Sequence, residues 1–480
     1  MRVLFATLFA VSTAVAAAAD AASASSDGTF KDGDRVCFVG DSVTHWGYYT
    51  SQIQNYYYTR FPDWDVRIWN CGTGGATAGE ACNLVDRDVI AKRPTAVVVL
   101  LGGNDCNINY YRSTATDQMK RNRGKLLENY RKNLPRLHEK IAAALPDAKW
   151  TFCTLVPKDD TVKFPNRPDD VPVGITAAQR GFCDFVREYQ RKVGGTLVDY
   201  YTPMLAWNLE HQKADPAYTL MSDRIHPREP GGLLMAVTFL KAQGAPTVVS
   251  ETVIDAAGPT TVASENGIVS ALERTAAGGV RFSLLERALP FPVREAAKGL
   301  AGEIDFSGMF NREMLTVRGL SEGTWTLLVD GTQVCAAVSS AWAKGVNLSN
   351  YETPMMRHAR TVDRAVAVRE RLEYRLRGLW VSRNVMIRRL DRINEESRRK
   401  VYDPAADVDD ERVYHAFAKG YREAYAGKGD PMACDYSIYA NEWPLLDEKL
   451  GEIERQHQAV RKLAVPVAHV LELVPEEKTR

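Results

Sequence analysis

The chain has 480 residues, 45% of them hydrophobic, and its 61 Lys and Arg against 60 Asp and Glu leave a formal net charge of +1. That length exceeds one ordinary hydrophobic core, so two or three domains are expected. The balanced charge lacks the basic excess of a nucleic-acid-binding protein, so no nucleic-acid partner is expected.

Arg2 precedes an apolar stretch from Val3 to Ala18, followed by small residues with A-x-A sites such as Ala17-Ala18-Ala19. This is the layout of a secretory signal peptide. Residues 1–24 are therefore expected to be one, and the mature protein to be secreted or periplasmic. No later segment offers the roughly 18–20 unbroken apolar residues of a membrane span, so no stable insertion is expected.

From Asp34 to about Gly244, short apolar runs alternate with helical stretches. The runs are Arg35–Val39, Val66–Trp69, Ala96–Leu101, Trp150–Leu155 and Thr196–Val198, and the helical stretches include Leu126–Leu145 and Thr176–Val193. Such alternation predicts an α/β domain over 28–244, with a parallel sheet covered by helices on both faces. Working residues in such sheets collect at the carboxyl ends of the strands. A small β-rich domain is expected over 245–350, where Asp330-Gly331 marks a hairpin turn. A helical region is expected over 351–480, opened by Thr353 as N-cap and Pro354 at the first helical position. Its arginines, from Arg357 through Arg399, read as a solvated helical face rather than a basic groove. The eight cysteines include no C-x-x-C pair, which argues against structural zinc, and a disulfide among Cys71, Cys82 and Cys106 is expected near one sheet edge.

Four short motifs follow the strands or face them. Gly40-Asp41-Ser42 ends the first run and exposes a hydroxyl at the start of a helix. Asn70-Cys71-Gly72-Thr73-Gly74-Gly75 follows the second, and Gly102-Gly103-Asn104-Asp105 the third. Asp223-Arg224-Ile225-His226-Pro227 lies far downstream. Ester hydrolysis needs a nucleophile, a base within hydrogen-bond reach, a group that orients the base, and donors for the oxyanion. Ser42 is the candidate nucleophile, His226 the base and Asp223 its orienting carboxylate. The Ser42 and Gly75 amides and the Asn104 side-chain amide are the candidate oxyanion donors. Each motif alone has a plain reading as a turn, a loop or a cap, whereas their order after successive strands points to chemistry. Val43-Thr44 follows Ser42, so the G-x-S-x-G elbow of α/β-hydrolases is absent.

These four blocks resemble those of the SGNH (GDSL-type) hydrolases, in particular their larger multi-domain members. The resemblance implies a flavodoxin-like three-layer α/β/α domain, a Ser42-His226-Asp223 triad working through an acyl-enzyme, and an oxyanion hole of Ser42, Gly75 and Asn104. It implies no metal and no cofactor. His45 reads as a packing or rim residue near the site. Trp46, Tyr48, Tyr49, Tyr110 and Tyr111 flank the site, and the long connection Pro157–Gly174 is placed to shape specificity. Without a wide apolar lid, the expected substrate is a short-chain ester, foremost an O-acetyl group on carbohydrate. The same residues would serve a lipase, a lysophospholipase or an acyltransferase. An inactive glycan-binding protein on this fold would have no need of all five residues.

Overall fold

A computed structural model describes residues 29–164, 171–390, 419–420, 423 and 439–476. The expected signal segment 1–24, part of the Pro157–Gly174 connection, and residues 391–418, 421–422 and 424–438 of the expected helical region lie outside them. Among the described residues, no helix is long and apolar enough to cross a membrane.

Strands β1 (Arg35–Gly40), β2 (Arg67–Gly72), β3 (Ala96–Leu100), β4 (Lys149–Cys153) and β5 (Thr196–Val198) form a parallel sheet in the order β2-β1-β3-β4-β5. The burial of β1 and β3 on both faces explains their unbroken apolar runs. Helices α2 (Tyr48–Arg60) and α7 (Glu229–Ala242) cover one face, burying Ile53, Tyr57, Leu234 and Phe239 against Val36 and Phe38. Helices α3 (Ala78–Asp88), α4 (Arg123–Ala144) and α5 (Ile175–Val193) cover the other with Val85, Leu137 and Phe182. This is the expected three-layer α/β/α arrangement. Strand order reverses between β1 and β3, which opens a crevice beyond their carboxyl ends.

Two further sheets follow. The second contains β6 (Val248–Asp255), β7 (Thr260–Glu265), β10 (Arg312–Arg318) and β13 (Val346–Asn347), in the order β13-β10-β6-β7. The third contains β8 (Gly267–Arg274), β9 (Val280–Glu286), β11 (Thr324–Val329), β12 (Thr332–Val338) and β14 (His469–Pro475). The β11–β12 turn puts Asp330 and Gly331 at φ 49° and 74°, the left-handed pair expected of that hairpin. Ile254 and Leu315 of the second sheet meet Phe282, Leu327 and Leu471 of the third in one core.

The C-terminal part carries the long helix α8 (Pro354–Leu390), capped by Thr353 Oγ1 accepting from the Met356 amide, and α9 (Leu446–Ala464). To this helical reading the structure adds β14, which pairs with β9 and β11 inside the third sheet. The arginine-rich face is not solvated throughout, because Arg369 and Arg377 are buried with Glu370 and Glu373. The disulfide expected among Cys71, Cys82 and Cys106 is also not formed, and the described cysteines are free thiols. Cys82 and Cys106 point into the apolar core beneath α3 and α4, while the Cys71 thiol donates to the Asp88 carbonyl.

Candidate active site

The first loop is shaped by close approach. β1 ends at Gly40, and a Cβ there would stand 2.0 Å from Thr44 Oγ1. Its absence lets the short helix α1 (Ser42–His45) turn directly back over the strand end. Asp41 caps α1, its Oδ1 accepting from the Val43 amide at 3.0 Å. Ser42 therefore starts a helix at the crevice, where backbone N–H groups and the positive helix end favour negative charge.

The Asp223–Pro227 loop reaches the same point from the far end of the sheet. His226 Nε2 lies 2.7 Å from Ser42 Oγ, and His226 Nδ1 lies 2.6 Å from Asp223 Oδ2. Asp223 Oδ1 accepts from the Ile225 and His226 amides at 3.0 and 2.7 Å. Burial pushes the Asp223 carboxyl up, but the His226 ring and these amides outweigh it and hold it down at about 2. The carboxylate thus stays ionised and fixes a proton on Nδ1, leaving Nε2 to accept from the serine hydroxyl.

Arg224, between the two, anchors this loop. It sits at φ 68°, in the left-handed region, with its side chain buried. Its guanidinium donates to the Asp159 and Val162 carbonyls at 3.2 and 2.7 Å and lies 4.6 Å from the Phe164 ring. Its own carbonyl accepts from the Asp159 amide at 2.9 Å. Strain at one residue between Asp223 and His226 is held by four contacts to the segment after β4.

The loop after β2 is tied to the end of β1, the Thr73 amide donating to the Gly40 carbonyl at 2.9 Å, and the loop after β3 brings Asn104 beside Ser42. Gly75 lies at φ 78°, with no other side chain within 4 Å of where its Cβ would be. Asn104 Nδ2 donates to the Ala76 carbonyl at 3.1 Å, which fixes the amide plane beside the Gly75 turn. A hollow of about 20 Å³ lies between Ser42, Asn104 and Ile225, walled by Leu100, Leu101 and Leu155. The structure therefore brings Ser42, His226 and Asp223 into one hydrogen-bonded line, and Asn104 to the same hollow as Ser42.

Several residues at the site carry no motif. Lys158 is buried beneath the third loop, its Nζ donating to the Gly103 carbonyl at 2.6 Å and the Cys106 carbonyl at 3.4 Å. Trp46 stacks on the His226 ring at 3.9 Å between centroids, and the Arg228 guanidinium covers Trp46 at 4.5 Å. Of the flanking aromatics, Trp46 reaches the site, whereas Tyr49 is core, bonded to Thr44 Oγ1 at 2.9 Å. His45 is buried and accepts at Nδ1 from the Gly74 amide at 3.2 Å. Its packing role was legible from position. The contact across to the second loop was not.

Residues 38–232 match the GDSL-like lipase/acylhydrolase family. The chain carries a GDSL-like lipase/acylhydrolase domain. Over most of its length the chain is similar to a gut microbial diltiazem-metabolizing enzyme, with 26% identity and a TM-score of 0.81, covering 93% of this chain and 98% of that one. The chain is also similar to an acetylxylan esterase from Geobacillus stearothermophilus, with 21% identity, a TM-score of 0.36, and coverage of 45% of this chain and 96% of that one. A lipase/acylhydrolase from Enterococcus faecalis shows 15% identity and a TM-score of 0.33, with 44% and 96% coverage. No curated protein shows a significant match.

Proposed function

We propose that the protein is an exported serine esterase that removes short acyl groups, foremost O-acetyl, from hydroxylated substrates such as carbohydrate. The observation that carries this reading is the continuous line from Ser42 Oγ through His226 to Asp223, at 2.7 and 2.6 Å. In the first half-reaction Ser42 Oγ bonds to the ester carbonyl carbon and its proton passes to His226 Nε2. The oxyanion is held by the Ser42 and Gly75 amides and the Asn104 side chain. When the C–O bond to the alcohol breaks, the leaving oxygen takes the proton from His226. Water then adds to the acyl-enzyme by the same route, releasing the carboxylic acid and returning the proton to Ser42.

The acyl group has little room. The hollow of about 20 Å³ beside Ser42 exceeds only slightly the ~10–15 Å³ that a cavity needs to admit one water, which suits an acetyl methyl better than a long chain. Because the departing alcohol must take its proton from His226, it lies alongside Trp46 and the exposed Arg228, whose guanidinium offers donors to hydroxyls. A second reading, an esterase for acetylated aromatic small molecules, is favoured by the similarity to a diltiazem-metabolizing enzyme over 93% of this chain.

Acetate release should be measured from acetylated xylo-oligosaccharides, from diltiazem (which carries an acetate ester), and from p-nitrophenyl esters of rising chain length. We expect p-nitrophenyl acetate to exceed the octanoate by at least about tenfold in kcat/KM, since added methylenes without a pocket are penalised. Ser42→Ala should abolish both turnover and labelling by a fluorophosphonate. A preference for long chains would refute the short-acyl reading, and a folded wild type that neither labels nor turns over would refute the esterase.

A further inference from the structure

The second donor loop is tied not only to its own domain but to the C-terminal helix α8. His45 links the two through both of its ends. Its Nδ1 accepts from the Gly74 amide at 3.2 Å, one residue before Gly75, and its backbone carbonyl accepts from Arg377 Nη2 of α8 at 2.5 Å. Tyr374, one turn earlier on α8, sets its ring edge-on to the His45 ring at 5.0 Å.

Arg377 is itself held in place. It is buried, with Nη2 3.4 Å from Glu370 Oε2 and Nη1 3.6 Å from Glu373 Oε2. Arg369 pairs with Glu373 at 2.6 Å and donates to the Ile68 carbonyl of β2 at 3.0 Å. Glu370 accepts from Gln54 Nε2 of α2 at 3.0 Å, and its Oε2 fills the space beside Gly47, where a Cβ would stand 2.8 Å away. Four charged residues of one helix are thus buried against α1, α2 and β2. Burial and the Arg377 charge hold the His45 imidazole down at about 4, so at neutral pH the ring is uncharged and its Nδ1 is free to accept.

We propose that Arg377 and His45 are positioning residues for the reaction, a two-step link through which α8 holds the Gly74-Gly75 turn in oxyanion-binding geometry. The inference deepens the esterase reading and rests on it for its catalytic half. The Gly75 turn has open space on its Cβ side, so the loop's placement depends on such tethers: the Gly74–His45 bond, the Thr73 amide to the Gly40 carbonyl at 2.9 Å, and the Gly72 amide to Asn70 Oδ1 at 3.0 Å. The first of these reaches α8. Neither residue touches the space where the reacting atoms would sit. Their effect falls on turnover, with substrate binding largely spared.

The test uses the full chain and two readouts. Hydrogen exchange of the 70–77 segment reports the tether whether or not the enzyme is active, and steady-state kinetics on p-nitrophenyl acetate report its consequence. Arg377→Met and His45→Phe should each raise exchange at Gly74 and Gly75 and lower kcat about 10- to 100-fold, the scale of a donor displaced by about 1 Å, with KM changed less than about threefold. His45→Asn, whose side-chain oxygen can accept from Gly74, should retain most of kcat and of the protection. Arg377→Met combined with Glu373→Gln removes a buried charge of each sign and serves where the single variant does not fold. Unchanged exchange in the folded His45→Phe and arginine variants would overturn the tether. Raised exchange with wild-type kcat would overturn its catalytic role. A wild type inert to fluorophosphonate would instead sink the esterase reading, and the exchange data would still decide the tether.

Discussion

Leu155 shows how single side chains set what the Ser42 hydroxyl can reach. It walls the hollow beside the nucleophile, and its methyl and methine carbons also stand 2.9 and 3.2 Å from where a Gly102 Cβ would be. Leu155→Ala should enlarge the acyl side and raise the butyrate-to-acetate ratio of kcat/KM by about tenfold, the worth of one or two accommodated methylenes. An unchanged ratio would place the acyl group elsewhere. His45 makes a second expectation. Burial and the charge of Arg377 hold its folded imidazole down at about 4, below the ~6.5 of a free imidazole. A depressed histidine leaves the unfolded chain binding more protons, so the native state loses stability as pH falls from about 6.5 to about 4. Melting temperature across that window should drop more steeply for the wild type than for His45→Asn, which does not titrate. Parallel curves would show that His45 is not held neutral by folding. Ser42, Asp223 and His226 were legible in the sequence because the chemistry fixes their residue types and the strands fix their order. Trp46 stacked on His226 was legible only as a flanking aromatic, since stacking leaves no spacing signature.

Between residues and the whole molecule, the Asp223–Pro227 loop shows what a motif conceals. Asp223 and His226 announce themselves by residue type, whereas Arg224 between them, buried at φ 68°, carries no such signal. Its guanidinium and carbonyl both bond the segment after β4, so the loop is positioned by contacts remote in sequence. Arg224→Ala should lower kcat by about 10- to 100-fold by loosening the His226–Ser42 approach, while leaving the fold intact by circular dichroism. Arg224→Gly would relieve the positive φ yet lose the same side-chain bonds. If the glycine variant worked as well as the wild type, the loop would be held by backbone conformation alone. Helix α8 conceals more. An Arg- and Glu-rich helix reads as solvated, because charged residues are almost never fully buried unless paired. Here the pairs are Arg369–Glu373 and Arg377–Glu370, and the partners that complete them lie some three hundred residues earlier, on α2 and β2. No local pattern could show that. Strand β14 was missed for a related reason: seven residues after a helix gain strand character only from β9 and β11 on either side.

At the scale of the molecule, the cores do not respect the boundaries that composition suggests. The core on the α2 and α7 face of the parallel sheet also takes in Phe291, Leu300, Phe306 and Phe310 from the β-rich segment. The core between the second and third sheets takes in Tyr58 from α2, Val362 and Val366 from α8, and Val460 from α9. Polar ties cross the same seam. His457 of α9 bridges Tyr58 Oη at 2.6 Å and Asp65 at 2.8 Å, and Arg67 meets Glu454 at 2.8 Å. Such sharing couples the melting of the accessory sheets to that of the active site. Leu473 on β14 is fully buried in the third sheet, far along the chain from Ser42. Leu473→Ala should cost about 2–5 kcal/mol through lost burial and the cavity left behind. Because the cores interlock, that loss should lower one common transition. Thermal loss of fluorophosphonate labelling at Ser42 and loss of far-ultraviolet ellipticity should therefore shift down together. A variant whose ellipticity melted in two steps, with labelling surviving to the wild-type temperature, would show that the GDSL-type domain stands by itself and that α8 is dispensable to its folding.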